Sequence, residues 1–510
     1  MFGYILNIFK KFLKKWLKTV YFFCISCIIL SKSDGENCES LLLEITMVRN
    51  LTKGKPLKQI IFFALPIFIG NVFQQLYSMV DNIIVGNTLG ENAFAGVGAT
   101  TSIAFLIIGF VQGLTAGFAV KTSQYFGNQD EENVKRSVAT SFVLCAIITV
   151  VLTLASVFSA MPLLRIMQTP EDIIQYSYDY IVIVFAGLGA TMLYNLVSSI
   201  LRSLGDSKVP LIFLIIASVI NVALDLLFII VFKMGVAGAG WATIISQFIS
   251  AIACAIYMFK KYEILRLNRR HFKMSLKFCW EHLNIGLPMA FQYSIIAVGI
   301  MVQQSALNTF GTLYVSAYTA ASKIDSIVTQ ALVAMGSAVA TYVGQNYGAG
   351  QIDRINKGIN QAMLVSVALA LVSGVIVYFG SNLLTGLFVK DPSEEMLALS
   401  KRYLFWQGVF YIGLAVIYIY RNGLQGMGYS VLTMVGGVVE LSMRVVASLL
   451  LVKVLDYLGL CLSNPCAWLG VDVLYLASYY VIIHNKFKRK ARVSMPKVQV
   501  KKHTHSKGIA

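Results

Sequence analysis

Long apolar segments separated by short polar loops run through the chain from residue 60 onward. A segment of about 20 mostly apolar residues can cross a bilayer as a helix, and these segments lack the strict alternation of membrane barrel strands. We therefore predict an all-α integral membrane protein with twelve transmembrane helices. The predicted spans are 60–85, 95–122, 136–160, 174–201, 209–232, 238–260, 281–307, 315–344, 358–380, 397–420, 431–455 and 466–485.

The loops differ in charge from one side of the predicted bundle to the other. GNQDEENVKR, KKYEILRLNRRHFKMSLK and the C-terminal KFKRKARVSMPKVQVKKHTHSK are rich in Lys and Arg and fall on one side, whereas GNTLGEN and TPEDI fall on the other. Because cytoplasmic loops carry the excess of basic residues, we predict a multi-pass protein with both termini in the cytoplasm.

Composition narrows the class further. Hydrophobic residues make up 57% of the 510 and charged residues only 13%, whereas a soluble protein has about a quarter. The net charge of +18 is then expected to face anionic lipid, and no nucleic acid partner is expected. The sequence has no GxxxxGK[ST] and no HExxH, so we expect neither an enzyme nor ATP-driven transport, and no cofactor or metal.

Two cysteine pairs lie close together in the sequence. Cys24 and Cys27 form a CxxC, and Cys461 and Cys466 fall in a predicted loop. Neither pair has the additional His or Cys ligands of a zinc site. We interpret all eight cysteines as small apolar residues and leave open a disulfide between Cys461 and Cys466.

Residues 1–46 differ from the rest of the chain. Five lysines between positions 10 and 18 precede the short apolar run YFFCISCIIL. This pattern fits a signal peptide without a clear cleavage site, an interfacial amphipathic helix, or a start of translation at Met47. We favour the start at Met47 and assign residues 1–46 no function.

Three short patterns occur twice at nearly the same shift. ALP at 64–66 matches GLP at 286–288, YFGNQDEENVKR matches NYGAGQIDRINK, and LRSLGDS matches LQGMGYS, each 221–223 residues further on. This predicts an N-lobe at 47–260, a basic linker at 261–280, a C-lobe at 281–487 and a basic tail at 488–510. Paired lobes with a cavity at their interface are a recurring transporter architecture.

Three polar residues inside spans of the N-lobe are candidates for ion coupling. Asp81 lies in the first span, and Asn221 and Asp225 lie four apart on one face of the fifth. An intramembrane acid is a functional-site hypothesis by default. If these side chains meet, they would bind and release protons near neutral pH or hold a sodium ion. Alternatively, Asp81 lies at headgroup level, or the residues only join helices, which contributes about 0.6–2 kcal/mol per contact.

The predicted C-lobe carries different polar residues. Glu440 and Arg444 are four apart in the eleventh span, so we expect a structural or gating ion pair. Gln303 and Gln304 in the seventh span are candidates for cavity lining. Lys323 and Asp325, near the start of the eighth span, are candidates for a further internal pair.

Several of these segments resemble the multidrug and toxic compound extrusion (MATE) family over residues 51 to about 485. They are LPIFIGNVFQQLYSMVDNIIVG, AVKTSQYFGNQDEENVKRSV, ILRSLGDSKVPL and VGQNYGAGQIDRINKGI. The resemblance implies two six-helix lobes that alternate between outward and inward openings and export compounds against proton or sodium entry.

Within that family the chain is more similar to the DinF-type branch. Its N-lobe cation site corresponds to Asp81, Asn221 and Asp225, with further positions matching Tyr180 and Thr243. The NorM-type branch uses a Glu in the seventh helix, and this chain has no acid at 285–307. The resemblance therefore implies coupling through the N-lobe.

We expect a monomeric secondary antiporter of the bacterial inner membrane that exports amphiphilic, cationic small molecules in exchange for H+ or Na+. The rival interpretations are a lipid-linked precursor flippase of the same superfamily and a membrane scaffold or receptor that transports nothing. Twelve spans and the intramembrane acids argue against the flippase, and a scaffold or receptor would leave the paired intramembrane acids unexplained.

Overall fold

The computed structural model describes residues 50–389 and 392–494, and the regular elements of this part of the chain are all helical. The predicted N-terminal extension, the Cys24–Cys27 motif and the tail beyond residue 494 lie outside the described residues.

Twelve helical units follow one another along the described chain. The first six are α1 (Pro56–Leu89), α2 (Glu91–Ala99 and Thr101–Gly127), α3 (Glu131–Ile166), α4 (Glu171–Ala186 and Leu188–Ser203), α5 (Lys208–Asp225, then a π-helical turn at Leu226–Val231) and α6 (Val236–Lys261). The second six are α7 (Leu276–Asn308), α8 (Thr312–Val328 and Gln330–Gly348), α9 (Ile352–Phe388), α10 (Glu394–Val416, a π turn at Ile417–Arg421 and Asn422–Gly426), α11 (Ser430–Val446, a π turn at Ala447–Leu451 and Val452–Leu455) and α12 (Tyr457–Ser494).

The predicted membrane architecture is confirmed. In the described chain nine helices are long and apolar enough to cross a membrane, and eleven if α4 and α8, bent by 50° and 41°, each count as one span. The remaining unit, α11, is not among them; its regular part has 17 residues before the π turn at Ala447–Leu451.

Helix starts follow from local sequence. The side chains of Asp130, Ser275 and Ser393 accept hydrogen bonds from backbone N–H groups three residues later, at 3.1–3.2 Å, which caps α3, α7 and α10. Each cap stands where a polar loop meets an apolar run, so it fixes the point at which the chain enters the bundle.

The first helix of each lobe packs its first half against the other lobe. Phe63 of α1 belongs to the same buried cluster as Met335 of α8. The first helix of the second lobe makes the equivalent contact: Ala290 of α7 is buried in a cluster with Phe118 of α2. The later part of α1 returns to its own lobe, where Ile84 packs among residues of α2, α5 and α6. Because α1 and α7 bridge the lobes, a movement of one lobe is transmitted along them.

The two lobes touch closely at the bundle end that carries the basic loops, which we call the basic end. A Cβ built on Gly127 of α2 would lie 1.9 Å from the carbonyl oxygen of Gln345 in α8, and one on Gly348 would lie 1.9 Å from that of Gln124. Glycine is therefore required at both positions for α2 and α8 to approach this closely. The Gln345 side chain also accepts from the Leu51 backbone N–H at 2.9 Å.

Two expectations from the sequence are wrong. Cys461 and Cys466 lie on α12 rather than in a loop, because α12 begins at Tyr457 and continues through the predicted loop; both are free, so the disulfide left open from the sequence does not form. Lys323 and Asp325 do not pair, since residues two apart on a helix face different ways. Lys323 is exposed, and Asp325 accepts a hydrogen bond from the Tyr411 hydroxyl at 2.6 Å.

Candidate functional site

A cavity of about 310 Å³ lies inside the N-lobe, between α1, α2, α4, α5 and α6. Its lining mixes apolar side chains with amide, hydroxyl and phenol groups and one guanidinium, including Tyr77, Gln112, Tyr180, Asn195, Arg202 and Gln247. Concave sites with a few converging polar groups are typical of small-molecule binding.

The three predicted coupling residues converge at one end of this cavity. Asp81, Asn221 and Asp225 are 7%, 1% and 0% exposed. The two carboxyl groups lie within hydrogen-bonding reach of each other. Within the described chain, one oxygen of Asp81, both oxygens of Asp225 and the amide oxygen of Asn221 are buried without a hydrogen-bond donor. Buried polar atoms normally have a partner, so this set is poised to receive one.

The helices explain how these groups meet. Asn221 and Asp225 are one turn apart on α5, and Asp81 lies one turn beyond Tyr77 on α1. Asn221 lines the cavity, whereas the two acids stand just outside its lining. The π turn begins directly after Asp225, and π turns inside helices are frequent at functional sites.

Tyr180 and Thr243 are also brought to this place. The amide nitrogen of Asn221 donates to the Thr243 hydroxyl at 3.4 Å, while the amide oxygen has no donor among the described residues. The half-buried Tyr180 ring lies close enough to Asp81 and Asp225 to interact with their charges, and it lines the cavity. Five residues predicted from the sequence thus form one cluster, which we call the N-lobe acid cluster.

The predicted C-lobe residues do not join this cluster. Glu440 and Arg444 form the expected ion pair at 2.8 Å, with both side chains buried. Gln303 is buried and donates to the Ser463 hydroxyl at 2.7 Å, and Gln304 donates to Asn308 at 3.0 Å. Neither glutamine lines the N-lobe cavity.

Two charged residues of interest were missed from the sequence. Asp472 of α12 is 7% exposed with one unpartnered oxygen, and a lone acid in the apolar run AWLGVDVLYL was its signal. Arg202, at the end of α4, lines the cavity. In the sequence, its motif LRSLGDS indicated only the internal repeat and the family resemblance, because which helices enclose a cavity is not visible in a sequence.

A bundle of membrane-spanning helices in two lobes, with a polar cavity and buried acids inside one lobe, defines a multi-pass membrane transporter. The family model MatE matches the chain twice, over residues 66–227 and 288–450. The chain therefore belongs to the MATE family of multidrug efflux transporters.

Named relatives agree with this assignment. The probable multidrug resistance protein YpnP of Bacillus subtilis is 31% identical over 74% of this chain and 84% of its own length. A FAD transporter of Shewanella oneidensis is 25% identical over 81% of this chain and 92% of its own length. A structure described as the outward-facing conformation of a multidrug resistance MATE family transporter superposes with a TM-score of 0.79 at 21% identity, covering 87% of this chain and 99% of that one.

Proposed function

We propose that the protein is a proton-coupled antiporter of the bacterial plasma membrane that exports amphiphilic small molecules as a monomer. The observation that carries the proposal is the N-lobe acid cluster: two buried carboxyl groups within reach of each other, without donors, beside a cavity large enough for a small molecule. We propose that the basic end faces the cytoplasm, since basic loops mark that side.

Proton binding follows from the electrostatics of the cluster. A carboxylate removed from water without a counter-charge is unfavourable, and two that face each other repel. One bound proton removes a charge and supplies the hydrogen bond that the pair lacks. Sodium is the alternative ion, with the oxygens of Asp81, Asn221 and Asp225 as ligands.

Proton binding and substrate binding compete through the shared wall of the cavity. Asn221 and Tyr180 line the cavity; Asn221 lies one turn before Asp225 on α5, and Tyr180 lies within range of the charges of both acids. An unprotonated pair gives this end of the cavity a negative potential, which favours the cationic group of a substrate. Protonation of Asp81 and Asp225 abolishes that potential and releases the substrate in the open state. In this proposal the acids act on the substrate through their electrostatic field and through α1 and α5, the helices that carry them.

The test is dye export from proteoliposomes containing the purified full chain, with a pH gradient and a sodium gradient imposed separately. We expect a cationic fluorescent dye to be exported under the pH gradient. Asp81→Asn and Asp225→Asn should each abolish this export at normal protein levels. Asp472→Asn is the matched control, because it removes a buried acid with an unpartnered oxygen from the other lobe.

Each alternative result has a definite meaning. Wild-type export by both N-lobe variants would refute the proposal. Export under the sodium gradient alone would assign the coupling ion as sodium. Loss of export in Asp472→Asn as well would show that coupling is not confined to the N-lobe.

A further inference from the structure

Arg202 gives the N-lobe cavity a positive end. It lies in the last turn of the second segment of α4 and lines the cavity, as do Ser207 and Pro210 next to it. Asn221, beside the acids, lies eleven residues after Pro210 on α5, which corresponds to about 16 Å along the helix. The cavity therefore runs from a guanidinium at one end to the acid cluster at the other.

The charge of Arg202 is not neutralised by a carboxylate in the described residues. Its side chain donates to the Ser199 hydroxyl at 3.2 Å, and the ionisable groups whose charges act on it are Tyr194, Tyr293 and Cys254. A guanidinium stays charged in proteins, and a charge held away from bulk water is normally paired.

The nearest candidate partner is already engaged. Asp206 follows Arg202 by one turn, yet one of its oxygens accepts from the Tyr262 hydroxyl. Its other oxygen accepts from the backbone N–H groups of Lys208 and Val209 at 2.9 and 3.1 Å. Asp206 thus caps the start of α5 and leaves the guanidinium available to the cavity.

A second polar group beside Arg202 also lacks a partner. Ser198 is one turn before Arg202 on the same face of α4, is 2% exposed and lines the cavity. Within the described chain its hydroxyl has no hydrogen-bond partner, and the neighbouring Tyr194 hydroxyl donates its own proton to the Pro210 carbonyl at 3.0 Å. Asn195 and Gln112 add amide groups to the same wall.

We infer that Arg202 and Ser198 form an anion-binding subsite that takes the carboxylate or phosphate of an exported amphiphile. Arginine binds such groups through two parallel hydrogen bonds, and the interaction is strong where water is excluded. The inference rests on the proposed export function and narrows its substrates. Compounds that carry an acidic group at one end and a cationic group about 16 Å or less away match both ends of the cavity.

The test compares two dyes that differ in a single group: a rhodamine with a free benzoate and its methyl ester. Binding to the purified full chain in phosphatidylcholine nanodiscs is measured by fluorescence anisotropy, and export of each dye is measured in proteoliposomes. The variants are Arg202→Gln, Arg202→Lys, which keeps the charge, and Arg165→Gln, which removes an exposed arginine far from the cavity.

We expect Arg202→Gln to weaken binding of the free acid about tenfold to hundredfold, since hydrogen bonds to charged groups are among the strongest. Binding of the ester should stay within about twofold, Arg202→Lys should retain part of the difference, and Arg165→Gln should bind both dyes as the wild type does. If the headgroup of phosphatidylglycerol reaches the same subsite, addition of this lipid should weaken binding of the free acid to the wild type but not to Arg202→Gln. That result would also support the inferred subsite.

Equal losses for both dyes in Arg202→Gln would show that the arginine only maintains the fold and would overturn the inference. Unchanged binding of the free acid in Arg202→Gln would overturn the inference as well, and so would a wild-type protein that binds only the ester. In either case normal export of the ester would leave the proposed antiport standing. Failure of the wild type to move either dye would count against the antiport itself.

Discussion

The close contact of α2 and α8 at the basic end predicts a large effect of a single methyl group. In Gly127→Ala the new Cβ would start 1.9 Å from the Gln345 carbonyl oxygen, and an ordinary contact needs about 3.4 Å. The helices must therefore separate by about 1.5 Å. Overpacking of this kind costs about 1–3 kcal/mol. If closure of the basic end belongs to one transport state, that state loses population by about fivefold to 150-fold.

Spin-label distances across the basic end in nanodiscs, together with dye export, measure this shift. Gly127→Ala should lengthen the distances and slow export by at least about fivefold. Gly348→Ala should behave alike, because its Cβ would meet the Gln124 carbonyl oxygen at the same distance of 1.9 Å. Gly98→Ala is the control, because a Cβ there meets nothing within 4 Å and the backbone tolerates it. Wild-type distances and export in Gly127→Ala, or equal damage in Gly98→Ala, would refute the reasoning.

Two further predictions concern stability, measured by thermal unfolding in detergent. Glu440→Gln leaves Arg444 buried without its partner and should destabilise the protein by about 3–5 kcal/mol. Replacing both residues with Leu should recover most of the stability lost in Glu440→Gln. A double variant as unstable as Glu440→Gln would contradict this prediction. In the basic linker, burial and the hydrogen bond to Asp206 raise the pKa of Tyr262, so the neutral phenol stabilises the folded state. This contribution is complete below the ordinary tyrosine pKa of about 10 and decreases as the pH rises above it. Tyr262→Phe should reduce the alkaline loss of stability, and an unchanged pH profile would exclude this origin.

The sequence sufficed for those features that depend on single helices or on the repeat. Apolar length revealed the spans, and the one-turn spacing of Asn221 and Asp225 predicted their shared face. Proximity between helices distant in the chain required the fold. Arg202 lines the cavity because α4 packs against α2, α5 and α6. This packing cannot be derived from any local sequence pattern. The crossing of α1 and α7 into the opposite lobes was equally invisible, because both helices read as ordinary apolar spans.

Comparison of equivalent positions in the two lobes separates features that both lobes share from residues that occur in only one of them. A shift of 222 residues carries Pro66 onto Pro288 and also carries Asp81 onto Gln303, which is neutral and already bonded to Ser463.

The same comparison holds on the fifth and eleventh helices. The π turn after Asp225, at Leu226–Val231, recurs 221 residues later at Ala447–Leu451, where Val446 takes the place of the acid. The backbone irregularity therefore belongs to the architecture of both lobes, whereas the C-lobe has Gln303 and Val446 at the positions equivalent to Asp81 and Asp225. In the C-lobe, Glu440 already has Arg444 as its counter-charge, so the binding of a proton there would break an ion pair. In the N-lobe it would relieve a repulsion. Under the proposed antiport, protonation is therefore favourable at the N-lobe pair and unfavourable at Glu440.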